Sequence, residues 1–299
     1  MDIRWLQDFL TVAETGNFTR AAQNRNASQA AFSRRIQSLE AWLGATLIDR
    51  GVFPTRLTPQ GERFKEYAGE ILRGVMDAKS ELTGKPAQDH IRIAVPYAIA
   101  TSSLPAWWSN WSRDRNLACS IVVGNVHDMM TALVSGGVDI LICFHTAQQP
   151  VQLDPTRYER LDLKTESIRP YASRELVEKG GATLPGQPLK PVPLLMYTPG
   201  VYFARMTELI IDAAPQKLIG ECIMDSDMSD VLREMAIKGF GIAWLPDCTV
   251  EATASHNLVP VDDGSWSLNI STVAIRSNTN ERPAVNRLWS ILQSSIKSL

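Results

Sequence analysis

The spacing of apolar residues changes once along this chain of 299 residues, at about Gly84-Lys85-Pro86, and the change divides it into two parts. Before that point apolar residues recur at steps of three and four, the period of helices packed on one face. After it they gather into short runs separated by helical stretches, the pattern of a parallel sheet with crossover helices. The length suits two domains as well as one. The switch in period favours two.

In the first part, Trp5, Leu6, Phe9 and Leu10 form one face of a helix from Ile3 to Val12, interrupted at Thr15-Gly16-Asn17. A second short helix runs from about Phe18 to Arg25. Asn26-Ala27 is the turn, and Ser28 is a natural N-cap for a third helix that buries Ala31, Phe32, Ile36, Leu39 and Leu43 and ends at Gly44. The other side of this third helix presents Gln29, Ser33, Arg34 and Gln37. A plain surface helix mixes Glu with Lys, whereas these neutral hydrogen-bonding groups and arginines are the types that pair with base edges and phosphates. Between Thr15 and Arg56 six arginines face two acids, although the whole chain carries a net charge of −2. The local excess of about +4 points to a polyanion partner at this segment alone. Gln29, Ser33 and Arg34 are therefore expected to read bases, and Ser28, Thr19, Arg50 and Arg56 to hold phosphates. A solvated polar face is the competing interpretation.

The segment ATLIDRGVFPTRLTPQG reads as two short strands about a turn at Val52 to Thr55, flanked by Arg50 and Arg56. Such a flap can reach a minor groove or the backbone. Thr58 and Pro59 then open a long helix. Along it Phe64, Ala68, Ile71, Val75, Ala78 and Leu82 alternate steps of four and three, a coiled-coil seam with no facing helix evident nearby. The expected partner is the same helix of a second copy, giving a homodimer suited to two half-sites.

The second part contains IRIAV (91–95), CSIVV (119–123) and DILIC (139–143), then PLLMY (193–197), KLIGECIM (217–224) and GIAWLP (241–246). Two βαβ lobes follow, with crossings expected near Leu161 to Arg169 and Ser265 to Ala274 and a last helix folding back on the first lobe. Ligands of open sheets sit beyond the carboxyl ends of the strands. Val126, His127, Phe144 and His145 leave the first lobe there, and Tyr197, Thr198 and Tyr202 leave the second. An aromatic, partly polar cleft suits a small planar or amphipathic molecule. A lone histidine such as His145 is more often satisfied locally than a ligand donor.

The 44% apolar content can fill real cores, so disorder is not expected. MDIRWLQDFL is a poor signal peptide, and no apolar stretch approaches the roughly 18 residues of a membrane span. Cys119, Cys143, Cys222 and Cys248 form no CxxC, which argues against zinc or a disulfide scaffold and for reduced thiols in a cytoplasmic protein. No paired acid and base with a nucleophile, Gly-rich phosphate loop or metal-ligand spacing is present, so no enzyme activity and no cofactor are expected.

The runs FLTVAETGNFTRAAQNRNASQAAFSRRIQSLEAWLGATLIDR, LTPQGERF and GFGIAWLP resemble the LysR-type transcriptional regulators, and the likeness covers the whole chain. The resemblance implies a winged helix-turn-helix DNA-binding domain (1–58), a linker and dimerisation helix (59–84) and a two-lobed effector domain like a periplasmic binding protein (85–299). The lobes would comprise 90–162 with 268–299, and 163–267. It also implies promoter DNA, an unidentified small-molecule effector, and a homodimer or homotetramer as partners, with no membrane. Ala30 replaces the family's usual proline, which only preorganises the first turn. Ala98 stands where many members hold an effector carboxylate with Ser or Thr, so either the effector is not a simple carboxylate or Thr101, Ser102 and Ser103 take the anion.

RNASQAAFSRRIQSLE, DILICFH and SDMSDVLREMAIKGFGIAWLPD are most similar to the hypochlorite-responsive HypT-like subgroup, which implies methionine oxidation as a signal. Met228 lies in a matching stretch, with Met196, Met206 and Met224 in the same lobe. A sulfoxide there would be polar where a thioether was apolar, and could shift lobe closure; gap-filling core is the commoner role. The competing function is a two-lobed small-molecule-binding protein or enzyme whose N-terminal helices only oligomerise.

Overall fold

The computed structural model describes residues 2–52, 54–82, 90–112, 117–151, 153–252 and 257–296. Three helices open it: α1 (Ile3–Thr15), α2 (Phe18–Asn24) and α3 (Gln29–Leu43). Each starts on a side chain that accepts from its first turn: Asp2 from the Arg4 amide, Asn17 from Arg20 and Ser28 from Ala31. These caps satisfy amides that the helix itself leaves unpaired. α1 and α3 both end on a glycine with left-handed φ, Gly16 at 58° and Gly44 at 66°. The turn into α3 holds Asn26 at φ 48°, a conformation asparagine tolerates better than most residues.

Leu6, Phe9, Leu10, Ala21, Ala22, Phe32, Ile36 and Leu39 form the core of this unit. Asp8 is fully buried beside them. Its carboxylate accepts from Arg25 Nε at 2.9 Å and from Arg35 Nε, and Arg25 also donates to Gln7 Oε1 at 2.6 Å. A buried carboxylate persists only with such partners. This one ties α1 to the end of α2 and to the middle of α3.

The strands β1 (Ile48–Asp49) and β2 (Arg56–Leu57) pair antiparallel, with Asp49 opposite Arg56. Glu40 fastens this flap to α3, since Oε1 accepts from the Leu47 and Ile48 amides at 2.8 and 3.1 Å and Oε2 pairs with Arg50 at 3.1 Å. α4 (Pro59–Leu82) follows. The Thr58 hydroxyl accepts from the Gly61 amide at 3.0 Å and donates to the Thr46 carbonyl at 2.7 Å. A Cβ on Gly61 would stand 2.0 Å from the Leu47 carbonyl oxygen, so glycine is required where α4 crosses the flap.

The expected seam of α4 divides. Phe64 stacks obliquely on Phe9, ring centroids 5.3 Å apart, and Ala68 and Leu72 are fully buried, so α1 is the facing helix for this half. Tyr67, Ile71, Val75, Ala78 and Leu82 instead form an exposed stripe. The sequence period alone does not tell which of two neighbouring stripes meets α1.

β3 (His90–Pro96), α5 (Tyr97–Ser102), α6 (Leu104–Trp111), β4 (Ala118–Gly124), α7 (Val126–Val134) and β5 (Ile140–His145) build one lobe. β6 (Tyr158–Ser173) leads out of it to α8 (Arg174–Glu178), β7 (Val192–Tyr197), α9 (Tyr202–Ala213), β8 (Gly220–Ser226), α10 (Ser229–Ile237), β9 (Ile242–Pro246), α11 (Asp247–Glu251) and β10 (Leu258–Pro260). β11 (Leu268–Ser277) returns, and α12 (Pro283–Ile296) packs beside β3 and β6. Each lobe centres on a strand with parallel neighbours, β3 between β4 and β5 and β7 between β8 and β9. The sheet is nevertheless mixed, because β6 and β11 run antiparallel to each other and join the two lobes in the order β4-β3-β5-β11-β6-β9-β7-β8. The strand ends of both lobes therefore face one cleft.

The first lobe grips α4. Asp139, almost fully buried, pairs with Arg92 at 2.9 Å and Arg282 at 2.7 Å, and Arg92 reaches Asp77 of α4 at 3.2 Å. Burial alone would raise the Asp139 pKa, but the two guanidiniums hold its carboxyl below the usual range.

Two alanine substitutions in α4 are expected to act with opposite sign. Gly61→Ala forces the flap away from the helix and should cost about 1–3 kcal/mol. A Cβ on Gly69 meets nothing within 4 Å, so Gly69→Ala should stabilise by a few tenths to about 1 kcal/mol through helix propensity. Denaturant midpoints of the two variants check this; equal shifts would contradict the close approach at Leu47.

Candidate functional site: a nucleic-acid interface and an effector cleft

Thr19, Ser28, Gln29, Arg34 and Arg56 are exposed, and Ser33 is half-buried. Ser28 and Gln29 stand at the start of α3, with Ser33 and Arg34 one turn later. The two adjacent arginines of the motif have separate fates. Arg35 turns inward to Asp8, while Arg34 points outward and makes no ion pair among the described residues. α3 thus offers an amide, a hydroxyl and a guanidinium on a face free of carboxylates, which suits major-groove edges. On the flap, Arg56 makes no ion pair among the described residues. Arg50 is already engaged by Glu40, and its guanidinium lies 5.3 Å from the Phe18 ring centroid. It can serve a phosphate only by sharing that pairing.

In the cleft the expected residues separate into two groups. Phe144 and Tyr197 are buried, and both pack on Phe203, with ring centroids 5.0 and 5.4 Å away; Tyr202 meets the same ring at 5.9 Å. Phe203, which sequence reasoning missed, fills the space between the lobes. The only hint lay in its place beside Tyr202. Val126 and Tyr202 line a cavity of about 940 Å³ that extends toward α1 and α2. Val126 and His127 begin α7, and the side chain of His127 lies outside the described residues.

The hydroxyls expected to take an anion are already occupied. Thr101 Oγ1 lies 3.0 Å from Asp230 Oδ1, across the cleft on α10, so an anion there would meet a carboxylate. Ser102 donates to the Ala98 carbonyl, and Ser103 Oγ lies 3.4 Å from Ser102 Oγ. Ala98 itself is buried. His145 lies between Arg160, 3.0 Å from Nε2, and the Val151 amide, 3.3 Å from Nδ1. Burial, then the neighbouring guanidinium, lowers its pKa, so it is neutral at pH 7 and a poor partner for an anion. Thr198 donates to Asp225 at 3.0 Å, and Met228, half-buried, precedes α10 with its amide on Ser226 Oγ at 3.1 Å.

Burial pushes the thiols of Cys143 and Cys248 up to about 12, which disfavours the reactive thiolate. Among the described residues no three or more His, Cys, Asp or Glu side chains are grouped to hold a metal, and no helix is long and apolar enough to cross a membrane.

Comparison with known proteins agrees with this geometry. Residues 3–62 match the bacterial regulatory helix-turn-helix protein of the lysR family, and residues 84–297 match the LysR substrate binding domain. The HTH-type transcriptional regulator YjiE of Escherichia coli is 29% identical over 292 residues, covering 97% of this chain and 93% of that protein. Among solved structures, Vibrio fischeri DarR in complex with DNA is 29% identical, with 98% of each chain covered and a TM-score of 0.59. Full-length HypT of Salmonella typhimurium, a hypochlorite-specific LysR-type regulator, is 27% identical, covering 100% of this chain and 99% of its own, with a TM-score of 0.60. These relatives are regulators, and the chain matches them through both its units. It belongs to the LysR family, as a DNA-binding transcriptional regulator whose helix-turn-helix unit is joined to a two-lobed effector-binding domain.

Proposed function

We propose that two copies, paired along the exposed stripe of α4, set α3 of each into the major groove of promoter DNA in the cytoplasm, and that dimers pair further into tetramers. Tyr67, Ile71, Val75 and Leu82 support the pairing, since an apolar stripe on a long helix finds cover in its own copy. Gln29, Ser33 and Arg34 read base edges. Thr19, Ser28 and Arg56 hold phosphates, and Arg50 joins them when its pairing with Glu40 loosens. The outward turn of Arg34, beside an Arg35 committed to Asp8, is the observation that carries this reading.

The signal acts on the cleft residues Ala98, Thr101, Ser102, Val126, His127, Phe144, His145, Tyr197, Thr198, Tyr202 and Met228. An oxidant in the manner of the HypT-like subgroup is the signal we favour. Support comes from the likeness to HypT over the whole chain and from the half-buried place of the Met228 thioether at the start of α10.

Arg34→Ala is expected to lower affinity for the chain's own upstream region by about 1–3 kcal/mol, roughly five- to 150-fold, with a much smaller loss on random duplex. Titration of both duplexes by fluorescence anisotropy reads this, and equal losses would reduce Arg34 to a phosphate contact. For the redox reading, hypochlorite treatment with mass mapping should change promoter affinity in step with sulfoxide at Met228, and Met228→Leu should abolish the change. Unaltered affinity after complete conversion of that residue would rule the reading out.

A further inference from the structure

The two lobes touch at the rim of their cleft and again in its depth, through groups of the chain itself. At the rim the Thr101 hydroxyl of α5 lies 3.0 and 3.1 Å from the two carboxylate oxygens of Asp230 on α10. In the depth the ring of Phe203 on α9 packs on Phe144 of the first lobe. α5 also packs on α10 and α11. The lobes are therefore closed on each other, with a carboxylate of one set against a hydroxyl of the other.

Asp230 is aimed at that hydroxyl by a second partner. Arg233, one turn along α10, pairs with it at 2.9 Å and donates to the Thr249 carbonyl at 3.3 Å. The side chains of Asp230 and Arg233 are only 16% and 15% exposed. Glu234 also reaches Arg233, at 3.0 Å, but is 58% exposed, so solvent weakens that pairing. Arg233 is thus the positioning residue. Each group also keeps a partner when the lobes part. Thr101 has one hydroxyl proton, and its oxygen lies 3.0 Å from the Tyr97 carbonyl one turn back, an alternative acceptor on its own helix. Asp230 keeps Arg233. Opening orphans neither, and the closed pairing is favoured because a carboxylate is the stronger acceptor.

We propose that Thr101 and Asp230, positioned by Arg233, form a latch that holds the lobes closed with no effector bound. Asp230 is a carboxylate ligand supplied by the chain itself, and any carboxylate entering at this rim has to displace it. This deepens the reading of the cleft as the place where the signal acts, and rests on it.

The test is amide hydrogen exchange of the dialysed full chain, read by mass spectrometry over α5 and α10 with no DNA present. Asp230→Ala and Thr101→Val, the latter at an exposed position, should each speed exchange in both helices by roughly two- to fivefold, the change that one partly exposed contact supports. The double variant should be no faster than the faster single, because both remove one interaction. Arg233→Gln should also speed exchange, with Arg233→Lys recovering part of the protection. Acetate at tens of millimolar should slow Asp230→Ala back toward wild type, against sodium chloride of equal ionic strength, and leave wild type and Thr101→Val unchanged. The proposal is overturned if Asp230→Ala exchanges at the wild-type rate, if the two single effects add in the double variant, or if acetate leaves Asp230→Ala unaltered. Should Asp230→Ala not fold, wild-type rates in both Thr101→Val and Arg233→Gln overturn it. Because the readout uses neither oxidant nor DNA, its failure leaves Met228 oxidation and promoter reading standing, and a promoter response blind to oxidation would leave the latch standing.

Discussion

A single buried carboxylate sets the geometry of the helix-turn-helix unit. Asp8 lies inside the N-terminal core and is satisfied by Arg25 and Arg35, so α1, α2 and α3 share one electrostatic centre as well as one apolar core. The apolar stripe of Phe32, Ile36 and Leu39 sets which face of α3 is buried, and the ion pair to Arg35 adds a directional contact to it. An ion pair of fixed direction does not tolerate rotation of that helix, and this is where a buried pair is best able to confer specificity. With Arg35 held inward, Arg34 has only solvent or a ligand to face.

The two halves of the molecule are mechanically joined as well as covalently linked. Val134, at the end of α7, is part of the N-terminal core, and Gly136 sits so close to α4 that a Cβ there would lie 2.6 Å from Arg73 Cγ. Arg92 links Asp139 of the first lobe to Asp77 of α4. The first lobe, which β6 and β11 join to the second, therefore meets α4 through charged contacts of short range. Phe203 packs on Phe144 of one lobe and Tyr197 of the other, so an aromatic cluster spans the two.

The helix-turn-helix, the start of α4 and the six parallel strands were legible in the sequence because their signals are local: caps, glycines and apolar period. What was not legible required knowing which elements meet. β6 and β11 read as crossings, since Tyr158–Ser173 interleaves charge with Leu161 and Leu163 and hides a strand at the centre of the sheet. The period of α4 does not show that Phe64 and Ala68 face α1 while Ile71 and Val75 stay exposed. In the cleft, the partner of Thr101 is Asp230, more than a hundred residues away in sequence, which no local signal reveals. Asp8 carried a usable hint, an acid enclosed by Leu6, Phe9 and Leu10.

The Asp8→Asn variant tests the central claim most directly, through its affinity for the chain's own upstream region at a temperature where it remains folded. Asp8 does not lie on the DNA-reading face, and removing a negative charge by itself favours binding to a polyanion. If the buried carboxylate aligns α3, sequence-specific affinity must fall nonetheless, with binding to random duplex unchanged or stronger. Specific affinity that stays level or rises, with the same preference over random duplex, would contradict the account.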